Sequence, residues 1–161
     1  DISEKAIAFA GRWLEKEGLK ADLRVGSSTQ LPWVDQSIDA VISHGVLDHM
    51  RYEDARQTIR EVERVLKPNG LLYVDLVSTK ESGYGKGREI APFTFEIPDG
   101  EEAGAVQRFF ERDHVFELLG NSFEVMDIVY DEWQPVFGAG FSRVGTDYPR
   151  LARFHVGAKR R

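Results

Sequence analysis

The chain predicts an open α/β sheet, and three observations carry that prediction. Residues 38–43 (IDAVIS) and 71–77 (LLYVDLV) are mainly apolar runs of strand length. Between them, residues 52–66 carry the clearest helical stripe in the chain, Ala55, Ile59, Val62 and Leu66, with Glu and Arg on the other face. Pro68-Asn69-Gly70 then stops the helix. Strand, helix and strand in that order make a parallel βαβ unit. In such a sheet the ligand crevice lies at the carboxyl ends of the strands.

The remaining elements follow in order. Ser3 caps a helix running to about Glu17, where Gly18 stops it. Ile7, Ala10 and Leu14 recur at helical spacing and should face the sheet. Ala21 to Val25 alternates as a strand does, and residues 26–37 are a loop rich in Ser, Thr and Gln. The near-continuous apolar run from Leu71 to Val77 fits a parallel strand covered on both faces. Residues 78–103 hold Gly83, Gly85, Gly87, Pro92, Pro98 and Gly100 among Tyr84, Phe93 and Phe95. That is long for a plain connection and reads as an insertion or lid on the substrate side. Phe109 to Leu119 returns to helical character. Phe123 to Asp131 and Leu151 to Ala158 should close the sheet as a strand pair, joined by a loop with Gly138, Gly140, Gly145 and Pro149.

Composition bounds the function. With 161 residues, 42% hydrophobic and 30% charged, residues 1–161 read as a single domain with a real core. A net charge of −6 argues against a general nucleic-acid surface, and Lys159-Arg160-Arg161 reads as a solvated tail. The absence of cysteine excludes disulfides, thiolate zinc sites and a cysteine nucleophile, and fits a cytoplasmic setting. No apolar run reaches the roughly 18 residues of a membrane span, so no membrane partner is expected. The chain opens at Asp1 rather than at a methionine, as a processed product or a piece of something longer would.

Three short stretches could carry chemistry. In Asp1-Ile2-Ser3, an acidic residue just before a helix can accept hydrogen bonds from both hydroxyls of a ribose, and the apolar neighbour can pack on a base. A surface Asp favoured by the helix dipole explains the same residues without a ligand. Gly26-Ser27-Ser28 follows a strand and could meet the edge of that base, with Leu31-Pro32-Trp33 covering it; a plain turn is the alternative. Ser43-His44-Gly45-Val46-Leu47-Asp48-His49 ends the first buried strand, on the crevice side. His44 could hold a substrate or take a proton near neutral pH, whereas His49 is read as structural. Without a third placed ligand, His44, Asp48 and His49 imply no metal. His114 and His155 are given no catalytic role. Tyr84, Arg88, Phe93, Phe95, Arg108, Phe109 and Phe110 could line a small-molecule pocket, with Phe109 and Phe110 preferred as core.

Taken together, the order of these phrases resembles the type-11 group of class I S-adenosylmethionine-dependent methyltransferases. The matching words are Asp1-Ile2-Ser3, Gly26-Ser27-Ser28 with Leu31-Pro32-Trp33, Ser37-Ile38-Asp39-Ala40-Val41, Val46-Leu47-Asp48-His49 and Glu61-Val62-Glu63-Arg64-Val65-Leu66-Lys67-Pro68-Asn69-Gly70. The last is the most specific, and the likeness is strong over residues 1–77. Arg108-Phe109-Phe110 followed by Phe123-Glu124-Val125 is similar to small-molecule members.

The resemblance implies a Rossmann-like sheet with an antiparallel last strand and S-adenosylmethionine as cofactor. It puts the ribose on Asp1, the adenine beside Ile2, Ser27 and Ser28, and the methionine and sulfonium near Ser43 and His44. His44 is then the one candidate base, and a small molecule the acceptor. Two departures stand out. Ser27 replaces the family's usual acid, and the sequence holds no Asp-x-Gly-x-Gly-x-Gly loop. On this reading the domain is N-terminally truncated. Residues 21–25 then lack a neighbour, and residues 38–43 form an open edge that a second copy could complete. Two other readings compete: a methyltransferase-fold binding or assembly domain without turnover, and a nicotinamide dehydrogenase on the same sheet class. The Lys-Pro-Asn-Gly helix end favours the methyltransferase over the dehydrogenase.

Overall fold

The computed structural model describes residues 1–99, 103–133 and 150–161. The first helix, α1 (Glu4–Lys16), starts where Ser3 Oγ accepts the Ala6 N–H, and the chain turns away at Gly18 with φ +68°. It buries no residue, and Phe9 and Trp13 stand exposed on its outer face. Ile7, Ala10 and Leu14 are only half-covered, and α1 leans on Leu23 beside Gly11 rather than on the sheet. Residues 21–25 are extended but form no ladder strand, because no second strand lies beside them among the described residues. Local hydrogen bonds tie this stretch to the chain start: the Gly26 N–H donates to the Asp1 carbonyl at 2.9 Å, and the Asp1 amino group donates to the Arg24 carbonyl at 3.4 Å.

The main sheet has four strands in the order β1 (Ile38–Ser43), β2 (Leu66–Val77), β7 (Leu151–Arg160) and β6 (Phe123–Trp133). β1 and β2 are parallel, while β7 runs antiparallel to both its neighbours. The crossover from β1 to β2 is α2 (Tyr52–Val65), which buries Ala55, Thr58, Ile59, Val62 and Val65. Helix and strand meet at Val65–Leu66, and the Lys-Pro-Asn-Gly stretch then loops out of the ladder. Ile38 pairs with Leu66 but Ala40 with Leu71. Pro68 has no N–H to give a ladder, and Asn69 takes φ +63°, a left-handed conformation that asparagine tolerates.

Side-chain alternation divides this sheet into two faces. Leu72, Val74, Leu76, Phe154, Val156 and Ala158 point into the core under α2 and α3 (Arg112–Leu119), together with Phe110, Val115 and Leu119. On the opposite face the expectation of full cover fails for half of β2. Asp75 and Val77 are buried, but Leu71 and Tyr73 are exposed, as is Ile42 of β1. The reason is the same as for α1: that helix does not pack across this face.

A small second sheet is formed by β3 (Arg88–Ala91), β4 (Thr94–Glu96) and β5 (Val106–Arg108), the last lying beyond residues 78–103. Phe109 and Phe110 are not helical, contrary to the periodicity. Phe110 bridges to Ser78 and its N–H donates to the Val77 carbonyl at 2.7 Å, which helps tie the two sheets together. Gly100 and the loop glycines with Pro149 lie outside the described residues.

Candidate functional site

The crevice edge is assembled from the loop after β1, the end of β2 and the start of β7. Gly45 takes φ +61°, open to glycine without strain, and this aims its N–H at Asp75 Oδ1, 2.8 Å away. A single 3-10 turn, Leu47–His49, then buries Leu47 and Asp48. Asp75 and Arg153 sit two residues apart diagonally across the β2–β7 ladder, on one face, and Arg153 Nη1 reaches Asp75 Oδ2 at 2.7 Å. His44 Nδ1 lies 2.9 Å from the same oxygen, with the rest of its side chain 73% exposed. Arg153 Nη2 stands 3.5 Å from Asp48 Oδ2, and His49 Nε2 stands 4.0 Å from it. One guanidinium thus serves two fully buried carboxylates.

These two carboxylates are not equally served. Asp75 has the Gly45 amide, Arg153 and His44 around it, whereas neither oxygen of Asp48 has a hydrogen-bond partner. Burial pushes the Asp48 carboxyl above the usual carboxylate range, against the opposing pull of Arg153 and His49. Gln107 of β5 closes the group from above, donating to the Asp48 carbonyl at 3.4 Å.

A second lip carries the residues expected to hold a nucleoside. The Asp1–Gly26 hydrogen bond brings Asp1 beside the turn holding Ser27 and Ser28. Asp1 Oδ1 accepts the Ser3 N–H at 2.8 Å, Oδ2 stays free among the described residues, and Ile2 is 76% exposed next to it. Ser28 Oγ meets Thr58 Oγ1 of α2 at 3.0 Å, while Ser27 bonds only Thr29. The loop is stapled to α2 through Glu61 and Arg64. Leu31 donates to Glu61 Oε2 at 2.9 Å, and Arg64 donates to the carbonyls of Leu31 at 2.9 Å and Trp33 at 2.8 Å. The Arg64 hydrogen bond holds the Glu61 carboxyl below its usual range. Trp33, expected to cover a base, instead lies under the Arg24 guanidinium at 5.3 Å.

The aromatic set divides. Phe95 and Phe109 line a cavity of about 230 Å³ with Glu81, Lys86, Ile97 and Gln107, and Tyr84 packs edge-on against both rings. Phe109 is also core, as preferred, and Phe110 is wholly so. Arg88 is drawn away to an ion pair with Glu96. Arg108 is buried, its guanidinium 4.1 Å over the Tyr52 ring and donating to the Pro92 carbonyl and Thr94 Oγ1. His114 completes the cap of α3, accepting the Glu111 N–H, and His155 bonds Tyr73 on the sheet. Asp75 and Arg153 are functional candidates that sequence reasoning missed, and Asp48 was weighed there only as a metal ligand. Asp75 left one signal, a lone acid inside LLYVDLV.

Residues 1–74 match the family model of the methyltransferase domain. A malonyl-[acyl-carrier protein] O-methyltransferase of Coxiella burnetii is 36% identical over 44% of this chain and 27% of its own length. A Haemophilus influenzae protein is 39% identical over 45% of this chain and 30% of its own length. The chain thus spans under a third of these relatives. A solved S-adenosylmethionine-dependent methyltransferase of Methanosarcina mazei superposes with TM-score 0.79 at 23% identity, covering 99% of this chain and 79% of that one. The fold is that of the class I methyltransferases, Rossmann-like with a reversed last strand, and the likeness to the methyltransferase domain covers residues 1–74.

Proposed function

We propose that this chain takes part in S-adenosylmethionine-dependent methyl transfer to a small-molecule acceptor. The observation that carries the reading is the Asp1–Gly26 hydrogen bond, which gathers a free carboxylate oxygen, an open Ile2 and two serines on one lip. That donor set fits the nucleoside half of the cofactor. Asp1 Oδ2 would accept from the ribose, Ile2 would lie on the adenine, and Ser27 and Ser28 would meet its edge. Ser43 and His44, at the end of β1, would lie beside the methionine half. Bound there, the cofactor supplies an electrophilic methyl group on a sulfonium sulfur.

The protein's own task is alignment in a water-poor site, where effective molarity does most of the work. His44 Nε2 is the group available to take the acceptor's proton. The cavity walled by Phe95 and Phe109, roofed by the insertion of residues 78–103, supports an acceptor with an apolar body, with Lys86 and Gln107 as its polar contacts. Calorimetric titration of the whole chain with S-adenosylhomocysteine tests the reading. Micromolar binding that weakens at least tenfold in Asp1→Ala is expected; no heat up to millimolar ligand overturns it.

A second reading is favoured by a separate observation. β1 pairs with β2 alone among the described residues, and Ile42 beside that free edge is 77% exposed. Open apolar edges accept further strands. A domain that binds a second copy of this chain there, without turnover, would show concentration-dependent association together with a null titration.

A further inference from the structure

We propose that Asp75, held by Arg153, is the positioning residue that fixes His44 with its proton on Nδ1 and its basic Nε2 turned to the crevice. The inference rests on the reading of His44 as the base, but its test does not require methyl transfer. Free neutral imidazole prefers the proton on Nε2. That form would aim the Nδ1 lone pair at a carboxylate oxygen only 2.9 Å away, which is repulsive. Only a proton on Nδ1 turns this contact into attraction, and the partner of one ring nitrogen then decides the state of the other.

Asp75 is suited to the task because it is held from several sides. It is fully buried on β2, one oxygen is taken by the Gly45 amide, and the other is shared by Arg153 and His44. The Gly45 bond comes from the residue next to His44, so one carboxylate grips both the backbone and the ring of the same loop. The charged groups around the ring are few: Asp75 from β2, Arg153 from β7, and Asp48 and His49 from the 3-10 turn, with neutral Gln107 from β5. Asp48 is oriented toward Arg153 and not toward His44, so it serves the guanidinium rather than the imidazole. With Nε2 free of protein partners among the described residues, His44 can accept the proton an acceptor releases as its lone pair takes the methyl group; Asp75 then faces an imidazolium it is placed to stabilise.

The experiment is ring-nitrogen NMR on the selectively labelled full chain, followed up to alkaline pH until the spectrum no longer changes, with His44→Gln assigning its signals. Wild type is expected to show Nδ1 protonated and Nε2 bare, and Asp75→Asn to return His44 to the ordinary mixture dominated by Nε2–H. A wild-type His44 already dominated by Nε2–H overturns the proposal, and so does an unchanged spectrum in a folded Asp75→Asn. The wild-type spectrum decides even where the variant does not fold. Because no cofactor is present, a failed titration with S-adenosylhomocysteine leaves this result standing, and the reverse also holds.

Discussion

Asp48 shows how burial alone changes a residue's behaviour. Its carboxyl is fully buried, lacks a hydrogen-bond partner, and is raised above the ordinary range by desolvation. A raised acid binds its proton more tightly folded than unfolded. The folded state therefore incurs no cost below the unfolded value, and the cost grows as pH rises from there through the folded value. Asp48→Asn removes the titration. Thermal melts of both proteins should thus converge in acid, and wild type should fall progressively below the variant as pH rises toward neutrality. A variant melting below wild type at neutral pH would instead mean that the Arg153 attraction outweighs burial. The sequence placed Asp48 on the crevice side but held nothing about its solvation, which depends on how β5 and β7 close over it.

At the scale of elements, α2 does two jobs from its two faces. Its apolar stripe seals the core, and its polar face carries Glu61 and Arg64, which hold the loop of residues 26–37. Arg64 is raised above its ordinary value by its bonds to Glu61 and then Asp35, so it stays charged throughout. Each exposed charge contact is worth little, but Arg64 also satisfies two loop carbonyls. Arg64→Met should accordingly leave most of the stability in place. The Leu31 amide, bonded to Glu61, should exchange with solvent at least tenfold faster. Unchanged exchange would show that the loop holds its shape without the staple. The helix itself was legible from its 3.6-residue stripe, and its end from Pro68. The second use of Glu61 and Arg64 was not, because a Glu-Arg pair three apart reads as an ordinary solvated face.

At the scale of the whole molecule, the Ser78–Phe110 bridge and the packing of Val77 with Phe95 and Phe109 join the two sheets. Phe110 is fully buried in the main core and its neighbour Phe109 donates to the Phe93 carbonyl between β3 and β4, so packing predicts that the two unfold together. Phe110→Ala should cost about 3–5 kcal/mol and lower one shared transition, seen alike by far- and near-ultraviolet circular dichroism. Two separated transitions in wild type would instead make the insertion a unit of its own. Periodicity misassigned Phe109 and Phe110 to a helix, since a short apolar run flanked by charged residues reads the same in either state.

What the sequence by itself determined was the βαβ frame, the bounds of β1 and α2, the cap at Ser3 and the family likeness of residues 1–74. All of these follow from local periodicity, capping chemistry and short contiguous phrases. Tertiary structure alone decided which face of β2 is covered, that residues 21–25 find no ladder, and that Asp75, Arg153 and His44 meet. The last includes a contact between residues 78 positions apart, Asp75 and Arg153. No window on the chain spans it, because only the antiparallel register of β7 against β2 sets Arg153 diagonally beside Asp75.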